Sequence, residues 1–219
     1  VVRDGRIEAV GASDSVSIPA GAEQFDLTGR TIIPGFINTH GHVGATRGLE
    51  SDPELYTRSN LLHQLGLYAR YGVTTVFSLG GDDQAGFTLR DEQNLSLDRA
   101  RLFVAGPVVN GATAEDVEPL VDEIAGMGAD MIKIRVDDNL GSTTKMPEEA
   151  WRAVIERAHE HGLRVAAHVF YLDDAKKLVE ADVDFLAHSV RDADIDQELI
   201  DGMLERDVCL SPTLMREVS

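Results

Sequence analysis

Two apolar periods alternate along most of the chain. Short β-type runs at Ile32–Thr39, Val73–Leu79, Leu102–Gly106, Met131–Val136, Arg164–His168, Val183–His188 and Val208–Pro212 are separated by segments with helical spacing. Thr113 can cap a helix whose apolar positions Val117, Leu120, Val121, Ile124 and Met127 mostly return every three or four residues. Pro147 opens a second helix, with Trp151, Val154, Ile155 and Ala158 on one face and Gly162 as its stop. A third covers Asp194–Arg206, with Ile195, Leu199 and Met203 on one side. Such alternation requires parallel pairing, because a parallel neighbour is reached only by a crossover. Seven strand candidates in a row favour an α/β fold of the (β/α)8 TIM-barrel type, incomplete at about seven strands, over an open sheet. The start of the chain reads differently. "VVRDGRIEAVG" is two short β-runs about an Asp4-Gly5 turn, a hairpin signal. The expected organisation is therefore a partial β-sandwich domain over residues 1–31, followed by the barrel over 32–219.

Charge narrows the partners. The 219 residues carry 20 Lys plus Arg against 38 Asp plus Glu, a formal net charge of −18, so the clustered basic surface that holds nucleic acid by its phosphates is not expected. A single cysteine, Cys209, excludes an intrachain disulfide framework and a cysteine-only zinc site. No run approaches the length of a membrane span. The chain opens at Val1 and reaches Ser219 soon after the seventh strand candidate, so a fragment truncated at both ends is expected. Localisation stays open for that reason. With four Lys and 22 Asp, an ordinary acidic cytoplasmic enzyme is a simpler reading than a salt-rich habitat.

The sharpest chemical signal is "NTHGH". Strand side chains repeat every two residues, so His40 and His42 emerge on one face with Phe36 and Asn38, where both can reach one divalent ion. The bland alternative is a loop with two solvated histidines. The later strands add one costly polar residue each. In "MIKIRV", Ile132, Ile134 and Val136 share the face that packs on helices, while Lys133 faces the interior, where an unpaired ammonium costs several kcal/mol or loses its proton. His168 shares its face with Ala166 and Phe170, and His188 is read as sharing its face with Leu186 and Asp184. Singly, such histidines are more often hydrogen-bonded core residues. Four histidines and a lysine at the C-terminal ends of barrel strands coincide with where barrel active sites lie. Tyr171 and Arg191, three residues past His168 and His188, fall in rim loops and are candidates for holding a substrate carboxylate. His63, His159 and His161 repeat no motif and read as structural, and Gly80-Gly81 reads as a permissive turn.

"IIPGFINTHGHV", "GADMIKI", "VAAHVF" and "VDFLAHSV", in this order, resemble the amidohydrolase superfamily, in its imidazolonepropionase-like and Xaa-Pro dipeptidase branch. The resemblance implies that His40 and His42 bind one divalent metal, His168 and His188 a second, and that a carboxylated Lys133 bridges them. Zinc is the first choice of metal. Electrostatics agree, since two dications about 3.5–4 Å apart repel unless an anion lies between them. Lys133, His168 and His188 are the expected catalytic set, acting through hydroxide held by the metals on an amide or peptide bond of a small dipeptide or N-acyl amino acid. The family also requires an Asp at the tip of an eighth strand. Asp192, Asp194 and Asp196 follow the sixth and read as ordinary helix-start acids.

Three rivals remain. A mononuclear deaminase or cyclic-amide hydrolase of the same superfamily lacks the bridging lysine. A Schiff-base aldolase would use Lys133 but leave the histidines idle. A truncated, inactive barrel would bind metal or assemble with another chain, a homo-oligomer among the possibilities.

Overall fold

The computed structural model describes residues 1–92 and 98–214. The chain divides into two units, Val1–Pro34 and Gly35–Ser219.

In the first unit β1 (Val2–Arg3) and β2 (Arg6–Ile7) pair antiparallel. The hairpin forms because Asp4 and Gly5 both take positive φ, 50° and 73°, which suits a two-residue turn between twisted strands. Among the described residues of this unit it is the one sheet, whereas a sandwich needs two that face each other.

The second unit alternates strands and helices. Its first part runs β3 (Phe36–Gly41), a small side hairpin of β4 (Thr46–Arg47) and β5 (Glu50–Ser51), α1 (Arg58–Arg70), β6 (Val73–Ser78), α2 (Gln84–Asp91) and β7 (Arg101–Val104). Its second part runs β8 (Val108–Val109), α3 (Ala114–Gly126), β9 (Ile132–Arg135), α4 (Glu148–Glu160), β10 (Val165–His168), α5 (Leu172–Glu180), β11 (Phe185–Ala187), α6 (Gln197–Glu205) and β12 (Cys209–Ser211). Strands β3, β6 and β7 form one parallel sheet, and β8 to β12 a second, each strand beside its sequence neighbour. The third expected strand is thus split. It stops at Val104, Gly106 adopts φ +77°, Pro107 brings no N–H to a ladder, and β8 resumes on the other sheet. Between the first and last strands of the unit, Thr39 Oγ1 donates to Ser211 Oγ at 3.1 Å.

Helix ends follow local chemistry. Thr113 and Asp116 form a reciprocal capping box on α3, Asp196 caps α6, and Gly162 takes φ +71° after α4. Trp151, Val154, Ile155 and Ala158 of α4 are all buried, joined in one core by Val117, Val121 and Ile124 of α3. Inside the strands a smaller cluster of Leu79, Ala105, Met131 and Ala166, with Phe77 and Phe185 against it, forms an apolar floor.

Three expectations are corrected. The first barrel strand begins at Phe36, not Ile32. Ile32 and Ile33 are 77% and 60% exposed, and Pro34, which lacks an N–H, ends the first unit. Leu120 stands at 38% exposure, because α3 needs only Val117, Val121 and Ile124 for its contact stripe. Ile195 is 56% exposed because α6 starts later, at Gln197.

Candidate active site

The strand ends converge on one cavity of about 450 Å³. His40, His42, Lys133, His168 and His188 all line it. The rings of His168 and His188 meet edge to face at 4.2 Å between centroids, His40 lies 4.6 Å from His188, and His42 lies 5.3 Å from His40. Residues from β3, β9, β10 and the end of β11 are therefore brought to one place from positions up to 148 apart (188 − 40).

Register explains most of this. Lys133 pairs with Ala166 and Arg135 with His168 across β9 and β10, so these side chains share the inner face while Ile132 and Ile134 point to the helices. Lys133 is 3% exposed. His188 breaks the rule. Its strand pairs Ala187 with His168, so Phe185 and Ala187 occupy the inner face, and alternation would send His188 outward with Leu186. The expected common face of His188, Leu186 and Asp184 is corrected here. The strand ends at Ala187 and His188 takes φ +77°, an unusual conformation for a non-glycine residue that swings its ring into the cavity.

His42, His168 and His188 each have a polar partner at one ring nitrogen. His42 Nδ1 lies 3.0 Å from Gly80 O, His168 Nε2 lies 2.8 Å from Asp137 Oδ2, and His188 Nδ1 lies 2.5 Å from Thr213 Oγ1. Contacts of this kind fix the orientation and tautomer of an imidazole ring. Gly80 is needed for its carbonyl to sit there: it takes φ +106°, and a Cβ would come within 2.5 Å of Val108. Burial pushes the His168 pKa down, against the pull of Asp137, and so favours the neutral ring. Burial also works on Asp137, in the opposite sense, but the hydrogen bonds from His168 and the Asn139 backbone outweigh it and hold this carboxyl at about 2. The donor set thus suits divalent ions. Among the described residues, no group of three or more His, Cys, Asp or Glu is assembled so as to hold a metal ion.

The other candidates go elsewhere. Tyr171 donates to Asp138 Oδ1 at 2.8 Å under Lys145 Nζ, 3.9 Å from its ring, and Arg191 stacks on Phe170 at 4.7 Å. Neither is among the residues lining the cavity. Asp192 accepts from the Leu172 N–H at the start of α5, and Asp196 caps α6, the ordinary roles expected of them. His159 and His161 pair with Asp184 and Asp122 at the C-terminal end of α4, and His63 is exposed on α1. The sequence reading missed Arg135, Asn139 and Thr213, which line the cavity, and Asp137 behind His168. Arg135 and Asp137 were detectable, since they continue the period of two from Lys133.

A model of the amidohydrolase family matches residues 31–219. The chain is 31% identical to the enamidase of Eubacterium barkeri over 77% of its own length and 43% of the enzyme's. A solved candidate prolidase from Bifidobacterium longum superposes with a TM-score of 0.81 at 28% identity, covering 98% of this chain and 55% of that one. An Xaa-Pro dipeptidase solved with methionine in its active site gives 0.69 at 23% identity, covering 83% and 53%, which supports the fold. The chain spans about half the length of the curated relatives it matches.

Proposed function

This chain belongs to the amidohydrolase family, and on that footing we propose that it forms part of a binuclear metal-dependent hydrolase that cleaves an amide or peptide bond in a small dipeptide or N-acyl amino acid. The observation that carries the reading is Lys133, buried on an inner strand face in a cavity it shares with four histidines. Its ε-amine, once carboxylated by carbon dioxide, turns a cation into an anion with two oxygens, the one change that makes this donor set fit two dications. In this reading His40 and His42 hold one ion, His168 and His188 the other, and zinc is the first candidate. Bound ions would polarise the scissile carbonyl and acidify water.

The remaining work falls to the protein. Asp137 orients His168, while burial favours its neutral ring, and the Gly80 carbonyl orients His42 as Thr213 orients His188. Leu79 and Val108 give the cavity an apolar wall that excludes bulk water near the reacting bond. Residues 1–31 are proposed as part of a small β-domain preceding the barrel residues 32–219. The mononuclear deaminase or cyclic-amide hydrolase reading leaves Lys133 without a role.

The test is a substrate panel with the full-length protein. After loading with zinc, dipeptides and N-acyl amino acids should be hydrolysed with release of a free amino group, and a chelator should stop turnover until metal is returned. Ammonia release from amino-substituted heterocycles, without amide cleavage, would replace this reading by the deaminase.

A further inference from the structure

The proposed chemistry leaves one charged side chain of the cavity unused. Arg135 stands two residues after Lys133 on the same inner face, opposite His168 across the ladder, and lines the cavity. Its side chain is 37% exposed, so the guanidinium reaches the open space while its root is held by the strand. The partnering is incomplete. Its nearest carboxylate is Asp137, with Nη2 3.6 Å from Oδ1, too long for a hydrogen bond, and that carboxyl is already engaged by His168 and the Asn139 N–H. Buried Nε of Arg135 has no hydrogen-bond partner among the described residues. A guanidinium always carries its charge and offers a flat fork of donors that matches a carboxylate. Among the described residues lining the cavity there is no Asp or Glu, although the whole chain has a net charge of −18. An anion is thus admitted at this one point in an otherwise acidic molecule.

We infer that Arg135 binds the carboxylate of the substrate and makes this site selective for substrates with a free acid beside the scissile amide. Lys133 cannot do this once it is a carbamate, and Arg191, stacked on Phe170, is not among the lining residues. Asn139 follows on the loop from β9 and can add a neutral hydrogen bond to the same group. The inference rests on the hydrolase reading for the identity of the substrate, but its test does not require turnover.

The probe pair is N-acetyl-L-alanine and N-acetyl-L-alaninamide, which differ only in the charge of the terminal group. Binding of each to the full-length protein is measured calorimetrically, both with zinc and after chelation, so that a carboxylate held only by metal is recognised. The wild type should prefer the acid by about tenfold or more in both states, the range of a charge-assisted pair. Arg135→Met should remove the preference by weakening the acid alone, and Arg135→Lys should keep part of it. Thermal melts of both variants check that the strand is intact. Equal weakening of acid and amide by Arg135→Met would assign Arg135 to positioning Asp137 and overturn the inference, as would a wild-type preference that vanishes on chelation. If the preference depends on Arg135 but neither compound nor any dipeptide is hydrolysed, the anion site stands and the hydrolase reading falls.

Discussion

The two sheets reach the same cavity by different means. On the β8 to β12 side, β9 and β10 carry their functional residues among buried neighbours: Ile132 and Ile134 flank Lys133, and Val165, Ala166 and Ala167 precede His168, these neighbours all being fully buried. On the β3 to β7 side, both histidines come from a single strand whose Phe36 and Ile37 are 59% and 60% exposed and whose pairing to β6 shifts register twice. Here position is held by side chains from the following loop and helix. Asn60 of α1 donates to the carbonyls of Gly44, Thr46 and Leu55, Gln64 accepts from the Gly44 N–H, and Ser78 accepts from the Val43 N–H just past His42. One side is rigid through packing, the other through hydrogen bonds, and they should fail differently.

The packed side should be the more sensitive to a cavity. Trp151→Ala, which empties the helix face behind β9 and β10, is expected to cost about 3–5 kcal/mol in denaturant unfolding. A loss under about 1 kcal/mol would mean that this half is not held by its core. On the other side, Asn60→Ala removes hydrogen bonds to three carbonyls, of which Thr46 keeps Gln64 and Leu55 keeps the Thr57 N–H, and should cost about 1–3 kcal/mol. More telling, it should loosen His42 and leave His168 unaffected, which imidazole NMR signals can resolve. An equal disturbance of both rings would erase the distinction between the sheets.

The smallest effect concerns pH. Asp137 is held at about 2, below its ordinary 3.8, so the stability it contributes is complete above that ordinary value and lost as pH falls through about 2. Melting temperatures of Asp137→Asn should therefore fall less steeply than the wild type's between pH 4 and 2. Parallel curves would remove Asp137 from the support of His168.

Where the sequence was legible follows from the same contrast. Period-two alternation on β9 and β10 was enough to turn Lys133 and His168 inward, and strand–helix alternation was enough for the parallel order, because packing on both faces leaves little else to decide. Applied to one more residue, the same rule would have found Arg135. It could not find the orientation of His188, which depends on a positive φ that no side-chain pattern encodes. Nor could it tell that Tyr171 would turn to Asp138 and Arg191 to Phe170, since loop side chains choose among partners that only the fold brings near. Pro34 marked a boundary in plain view, yet the apolar run around it read as one strand.

The central claim is that Lys133 ties the two sides into one binuclear site. Elemental analysis of the full-length protein tests this most directly. The wild type should hold about two equivalents of divalent metal, and Lys133→Ala should fall toward about one, with part of the second regained on adding a short carboxylic acid such as acetate. Lys133→Arg should behave like the alanine variant, because a guanidinium stays cationic and cannot form the carbamate. An undiminished two equivalents in Lys133→Ala would contradict the bridging role and with it the binuclear account.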